Sequence, residues 1–116
     1  MAENRRESPR FSVSLYAEQK APQGEGVHIK NLSASGFLVQ GSVVAGQGGI
    51  FHASFRVHPS TGDVRVSIRG RVVHCRHDGL ESEFGIKIEG FGSQAEEEAY
   101  QTYIAELAER AGRPSA

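Results

Sequence analysis

The sequence predicts an all-β domain in which about six short antiparallel strands form a barrel and one helix follows at the C-terminus. Three observations predict this fold. Between Phe11 and Ile88, apolar residues recur at a period of two, which is typical of strands with one buried face. The segments between these runs carry turn residues and no crossover helix, so neighbouring strands are expected to be antiparallel. After residue 92 the apolar spacing becomes that of a helix.

Each predicted strand is defined by its alternating apolar positions. In chain order these are Phe11, Val13 and Leu15; Val27 and Ile29; Phe37 and Val39; Phe51, Ala53, Phe55 and Val57; Val64, Val66, Ile68 and Val72; and Phe84, Ile86 and Ile88. Turns are expected at residues 22–26, 45–49, 59–63 and 77–80. The fifth strand runs through Gly70 and is expected to bend there, because glycine interrupts strand packing and is common at barrel corners.

The C-terminal segment predicts a helix of about four turns. Ser93 and Glu96 form a capping-box pattern, and Arg110 and Arg113 lie near the opposite end, where cations complement the helix dipole. A stripe at helical spacing contains Ala95, Ala99, Tyr100, Tyr103, Ile104, Leu107 and Ala111. We expect this stripe to pack on the barrel, and a dimer contact is the alternative.

Length, charge and cysteine content limit the classes of function. The chain has 116 residues and a formal net charge of -1, so it is expected to form one domain without the global positive field of a general polyanion binder. Any anion site must therefore be local. Cys75 is the single cysteine, which favours a reducing compartment. The first ten residues are polar and carry no signal-peptide pattern, so we expect a cytoplasmic protein without membrane insertion.

Two short motifs carry the recognisable chemistry. The first, RRESPR at residues 5–10, places the guanidinium groups of Arg5, Arg6 and Arg10 just before the first strand. The second, NLSASG at residues 31–36, is expected in the tight link between the second and third strands. Guanidinium forks bind phosphate oxygens or the O6 and N7 atoms of guanine. Together with small polar groups, they predict a site for an anionic, guanine-bearing ligand.

The pattern Arg6-x-x-x-Arg10 followed by Asn31-x-Ser33-x-x-Gly36 resembles the PilZ domain, the bacterial receptor module for the second messenger cyclic di-GMP. That family has the signature RxxxR followed by D/NxSxxG, and every signature position matches. The resemblance implies a six-stranded antiparallel split β-barrel of PilZ type and a ligand with two phosphates and two guanines.

The resemblance is expected to cover residues 3–111, leaving residues 1–2 and 112–116 as flexible termini and no second domain. A PilZ domain without an output module implies a downstream protein partner, which the sequence does not identify. We expect a monomer or a weak homodimer.

The resemblance also implies roles for the signature residues. Arg6 and Arg10 would bind phosphates and guanine edges, and Asn31 and Ser33 would hydrogen-bond a guanine or a phosphate. Gly36 would keep the turn open, either in a left-handed conformation or by allowing a close approach of the ligand.

Arg5 stands directly before the signature, which is similar to what accompanies binding of an intercalated dimer of cyclic di-GMP in this family. Because Arg5, Arg6 and Arg10 lie outside the strands, we expect this arginine arm to be mobile when empty and to close on the ligand.

His74 is a further candidate ligand contact, by stacking or by bonding a guanine. Adjacent residues of a strand point to opposite faces, so His74 and Cys75 are not expected to share a metal ion. Cys75 is expected to be a small buried apolar residue. The glycines at residues 46–49 lack the lysine and helix of a phosphate-binding loop, and no catalytic pattern is present, so we expect neither a cofactor nor an enzyme.

Two other functions remain alternatives. A PilZ-like adaptor of motility or surface machinery would bind no nucleotide, but such adaptors typically lose the motif arginines. A small barrel that binds single-stranded nucleic acid would need exposed aromatic residues among basic ones. This chain has no tryptophan and three tyrosines, so a nucleic-acid partner is not expected.

Overall fold

The computed structural model describes residues 9–21, 26–41, 47–78 and 81–112. These residues form the elements β1 (Phe11–Ala21), β2 (Val27–Leu32), β3 (Gly36–Gly41), β4 (Ile50–Val57), β5 (Val64–Asp78), β6 (Glu81–Phe91) and α1 (Gln94–Gly112). Each strand pairs antiparallel with its neighbours, and the order β1-β2-β3-β6-β5-β4 closes into a barrel. The predicted six-stranded antiparallel barrel with a C-terminal helix is confirmed.

The core fills the inside of the barrel, because the period-two pattern turns one side of every strand inward. Phe37 on β3 packs edge-on against Phe51 and Phe55 of β4, with ring centroids 6.1 and 5.7 Å apart. All three rings are buried. Burying an aromatic side chain of this size contributes about 1.5–3 kcal/mol to the stability of the fold.

Two of the register shifts between paired strands bear on the strands that the sequence predicts. In β5 the register against β6 shifts between Arg69 and Gly70, where the sequence predicts a bend. In β1 the register against β2 shifts between Ser12 and Leu15, yet the predicted alternation is kept, since Phe11, Val13 and Leu15 pack against the core. The turn expected at residues 77–80 is shorter than predicted, since β5 continues to residue 78 and β6 begins at residue 81.

Helix α1 packs on the barrel through a narrower stripe than the sequence predicts. Tyr100, Tyr103 and Ile104 are buried, whereas Ala95 and Ala111 at the two ends are exposed. The helix has 19 residues, which corresponds to about five turns rather than four. Within the described part of the chain, no helix combines the length and the apolar character needed to cross a membrane.

The N-terminal cap of α1 has only one of the two hydrogen bonds of a full capping box. The hydroxyl of Ser93 accepts a hydrogen bond from the Glu96 N–H at 3.2 Å, as predicted. The Glu96 carboxylate, however, accepts the backbone N–H of Ser67 on β5 at 2.6 Å and the Ser93 hydroxyl at 3.2 Å. The cap therefore also fastens the start of the helix to the barrel.

A second carboxylate fastens the far half of α1 to the barrel. Glu106 accepts the backbone N–H of Ser60 at 2.9 Å and its hydroxyl at 2.6 Å. These two hydrogen bonds lower the pKa of the Glu106 carboxyl below its usual value. A carboxyl whose pKa is lower in the folded state stabilises that state at neutral pH, and the effect disappears as the pH falls through the folded-state pKa.

We therefore expect the substitution Glu106→Gln to lower the thermal stability at pH 7 and to have little effect near pH 3. The measurement is the melting temperature of both proteins between pH 3 and pH 7. The difference between them should shrink steadily as the carboxyl of the wild-type protein becomes protonated. A difference that stays constant over this range would show that the charge of Glu106 contributes nothing.

Candidate ligand site at the β2–β3 hairpin

The second motif forms a tight hairpin that Ser33 holds in shape. Asn31 is still part of β2 and Gly36 already begins β3, so the link is residues 33–35 and is shorter than the sequence predicts. The Ser33 hydroxyl accepts the N–H groups of Ser35 and Gly36 at 3.3 and 3.1 Å and donates to the Gly36 carbonyl at 3.1 Å. The Ser33 N–H donates to the same carbonyl at 2.8 Å.

These bonds use the full capacity of the Ser33 hydroxyl, which has one donor and two acceptor positions. The side chain is also buried, with 5% of its surface exposed. Ser33 therefore shapes the hairpin in this structure, as small hydroxyl residues do in tight turns. A direct bond from Ser33 to a ligand stays a prediction, and it would require one of the three hydrogen bonds to be exchanged.

Gly36 does not adopt the left-handed conformation that is one of its two expected roles. Positive φ angles occur at Gly41, Gly48 and Gly62 among the described glycines, but Gly36 has none. A Cβ atom at Gly36 would lie 2.3 Å from the carbonyl oxygen of Ile86 on β6. The left-handed turn is thus wrong for this position, and the close approach of the β6 backbone is what requires glycine.

Arg10 and Asn31 come together at the end of β2. Antiparallel pairing of Ser12 with Asn31 brings the start of β1 beside the end of β2. The Nη1 group of Arg10 donates to Asn31 Oδ1 at 3.3 Å, joining residues 21 positions apart. Arg10 is exposed and this hydrogen bond is long, so the guanidinium can leave it at little cost in free energy.

The other two arginines of the first motif, Arg5 and Arg6, lie outside the described residues. The same is true of most of the proposed arginine arm.

His74 lies on the same outer face of the barrel but not beside the hairpin. Register pairing forms the row Asn31, Leu38, Gly85 and His74 across β2, β3, β6 and β5. At about 4.8 Å per strand, His74 is about 14 Å from Asn31 along the surface. His74 is exposed, while Cys75 packs against the core and is only half-buried, so the predicted opposite orientation holds but full burial does not.

Lys87 is a cation beside the hairpin that the motifs do not reveal. It pairs with Gly36 across β3 and β6 and is exposed. Within the described part of the chain the side chain of Lys87 makes no hydrogen bond or ion pair, whereas that of its other neighbour Arg71 donates to Glu89 at 2.8 Å. That bond lowers the pKa of the Glu89 carboxyl. Strand alternation in the sequence could have indicated that Lys87 points outward, because its neighbours Ile86 and Ile88 are apolar and point inward.

Helix α1 contacts the hairpin through two hydrogen bonds. The Tyr100 hydroxyl donates to the carbonyl of Ser33 at 2.6 Å, and the Gln101 amide donates to the carbonyl of Ala34 at 3.1 Å. The sequence predicts Tyr100 only as a packing residue and does not single out Gln101. No local signal could have indicated either contact, because each pair is 67 positions apart.

The described residues contain no group of three or more histidine, cysteine, aspartate and glutamate side chains that could hold a metal ion. The polar groups at the hairpin include the Arg10 guanidinium, the Asn31 amide and the Lys87 ammonium group. Such groups bind anions and the edges of nucleobases.

The family model for the PilZ domain matches residues 4–106. The chain belongs to the PilZ domain family. Among curated proteins, none matches the sequence significantly. Of the PilZ signature, the structure describes Arg10 just before β1 and the hairpin between β2 and β3, and both lie at the same end of β2.

Two solved structures are similar to this PilZ chain in fold. The structure of the Bacillus subtilis inhibitor of motility (MotI/DgrA) superposes with a TM-score of 0.76 at 14% identity, over 96% of this chain and 54% of that one. The chain thus spans about half the length of that protein. The PilZ domain with c-di-GMP of YcgR from Escherichia coli gives a TM-score of 0.65 at 16% identity, over 93% and 95% of the two chains.

Proposed function

We propose that this PilZ chain binds cyclic di-GMP and acts as a receptor that converts binding into a change of shape or of partner surface. The observation that carries this proposal is the contact between Arg10 and Asn31, one residue from each half of the PilZ signature. The similar YcgR domain is described with c-di-GMP, which supports the choice of ligand.

The polar groups at the hairpin suit the chemistry of this ligand. A guanidinium fork can bind the O6 and N7 atoms of guanine or two phosphate oxygens, and an amide supplies one donor group and one acceptor. In this proposal Arg10 and Asn31 bind a guanine or a phosphate, and Lys87 adds a positive charge beside the phosphates. His74, farther along the face, would contact a second guanine.

Several contacts must act together to give useful affinity. A hydrogen bond to a charged group contributes about 1.5–3 kcal/mol, whereas micromolar binding needs about 8 kcal/mol. The ligand and the arginine arm also lose motion on binding. Arg6 and Arg5 are therefore part of the proposal, Arg6 on phosphate or guanine and Arg5 on the second molecule of an intercalated ligand dimer.

Isothermal titration calorimetry with cyclic di-GMP tests the proposal directly. We expect binding with micromolar or tighter affinity, and a ligand-to-protein ratio of two if the ligand binds as an intercalated dimer. Cyclic di-AMP is the matched control, because adenine presents a donor amino group where guanine presents the O6 acceptor. No heat with cyclic di-GMP at tens of micromolar, or equal binding of both dinucleotides, would contradict the proposal.

A second candidate function is an adaptor of motility or surface machinery that binds no nucleotide. The fold similarity to an inhibitor of motility favours it. The two candidates differ in the role of the ligand, since a receptor should change its protein partner only when cyclic di-GMP is present. The cytoplasmic location, the absence of enzymatic activity and the monomeric or weakly dimeric state stay predictions.

A further inference from the structure

Helix α1 donates two hydrogen bonds to consecutive carbonyl groups of the β2–β3 hairpin. Tyr100 binds the Ser33 carbonyl at 2.6 Å, and the next residue, Gln101, binds the Ala34 carbonyl at 3.1 Å. Both carbonyls belong to the three-residue link between the strands. The hairpin of the proposed ligand site is thus held by a helix that lies far away in the sequence.

The donor in the first of these bonds is fixed in place by the core. Tyr100 is fully buried, and its ring packs against Phe55 and Phe91 with centroids 6.3 and 5.4 Å away. Burial also raises the pKa of the Tyr100 hydroxyl, so the group stays protonated and able to donate. The position of the Ser33 carbonyl is therefore set by a side chain that has little freedom to move.

We propose that Tyr100, supported by Gln101, is a positioning residue for the ligand hairpin. Tyr100 holds the backbone of Ser33, and the Ser33 hydroxyl in turn holds the N–H groups of Ser35 and Gly36. This chain of contacts orders the hairpin before the ligand arrives, which lowers the conformational cost of binding. The inference rests on the proposed function for its effect on affinity, but not for its effect on the hairpin itself.

The substitution Tyr100→Phe tests the inference, because it removes the donor and keeps the ring. We expect faster amide hydrogen exchange at Ser35 and Gly36 without ligand. We also expect cyclic di-GMP to bind about three- to tenfold more weakly, the usual effect of one neutral hydrogen bond. A loss of overall stability alone would speed hydrogen exchange throughout the barrel. Faster exchange that is confined to the hairpin therefore indicates a positioning role.

Tyr103→Phe is the matched control. Tyr103 lies on the same helix and is buried, but its ring packs against His58, with centroids 6.2 Å apart. We expect this variant to keep hairpin exchange and ligand affinity within twofold of the wild type. If Tyr103→Phe changes both as much as Tyr100→Phe does, the effect comes from helix packing and the inference is overturned.

The remaining outcomes separate this inference from the proposed function. If wild-type protein binds cyclic di-GMP and Tyr100→Phe leaves both readouts unchanged, the positioning role is wrong and the receptor function stands. If wild-type protein gives no heat, the receptor function fails and hairpin exchange alone decides the positioning role. If Tyr100→Phe does not fold, Gln101→Ala replaces it, with faster exchange at the hairpin expected and unchanged exchange overturning the inference.

Discussion

Replacing Arg10 with alanine is expected to weaken the binding of cyclic di-GMP by about 10- to 150-fold, the value of one charge-assisted hydrogen bond. The loss would be larger if the guanidinium binds a guanine edge or a phosphate through both of its arms. Stability should change by less than about 0.5 kcal/mol, because Arg10 is exposed and its hydrogen bond to Asn31 is long.

Calorimetry with cyclic di-GMP and a thermal melt of the same samples measure the two effects separately. Arg56→Ala is the matched control, since Arg56 is an exposed arginine on β4, three strands from β3 in either direction around the barrel. It should leave both affinity and stability unchanged. If Arg10→Ala binds cyclic di-GMP as tightly as the wild type does, Arg10 is not part of the site. If Arg10→Ala does not fold, the role of Arg10 is structural.

The conservative substitution Arg10→Lys refines this test. Lysine keeps the positive charge but loses the planar fork that matches two acceptor atoms. A variant that binds nearly as well as the wild type would indicate a point charge beside a phosphate. A loss as large as that of alanine would indicate bidentate recognition.

The fold was predictable because its main signal is local. Alternation of residues such as Phe37 and Val39 places one side of each strand in the core, and turn residues separate the strands. The closing pairs of the barrel were not predictable, since pairing of β3 with β6 and of β1 with β4 joins strands distant in sequence. The register shift near Ser12 lies in the pairing of β1 with β2, and no residue pattern in the sequence indicates it.

The sequence motifs could indicate only those residues of the candidate site whose own side chains offer the binding groups. The two motifs single out Arg10 and Asn31, whose side chains are in contact in the structure. They miss Tyr100, which acts through a backbone carbonyl 67 positions away. They also leave open whether Gly36 makes a left-handed turn or allows a close approach of the ligand, because sequence alone does not distinguish a glycine needed for a positive φ from one needed for a close neighbour.

The substitution Gly36→Ala is expected to lower the free energy of unfolding by about 1–3 kcal/mol, the usual cost of inserting a methyl group into a close-packed site. The new Cβ would lie 2.3 Å from the carbonyl oxygen of Ile86. That oxygen belongs to the backbone of β6, which pairs with β3 on one side and β5 on the other, so it has little room to move. Urea denaturation measures the change.

Gly90→Ala is the matched control, because Gly90 also lies on β6 and a Cβ there would meet an atom at 2.9 Å. The atom it meets is the terminal Nη2 of Arg69, at the end of a flexible side chain that can turn away. Gly90→Ala should therefore cost much less stability. If both variants lose the same small amount, the barrel does not need glycine at residue 36, and the signature glycine would instead serve ligand approach. If, without ligand, Gly36→Ala is destabilised and Gly90→Ala is not, the barrel itself requires the glycine at the last position of the motif.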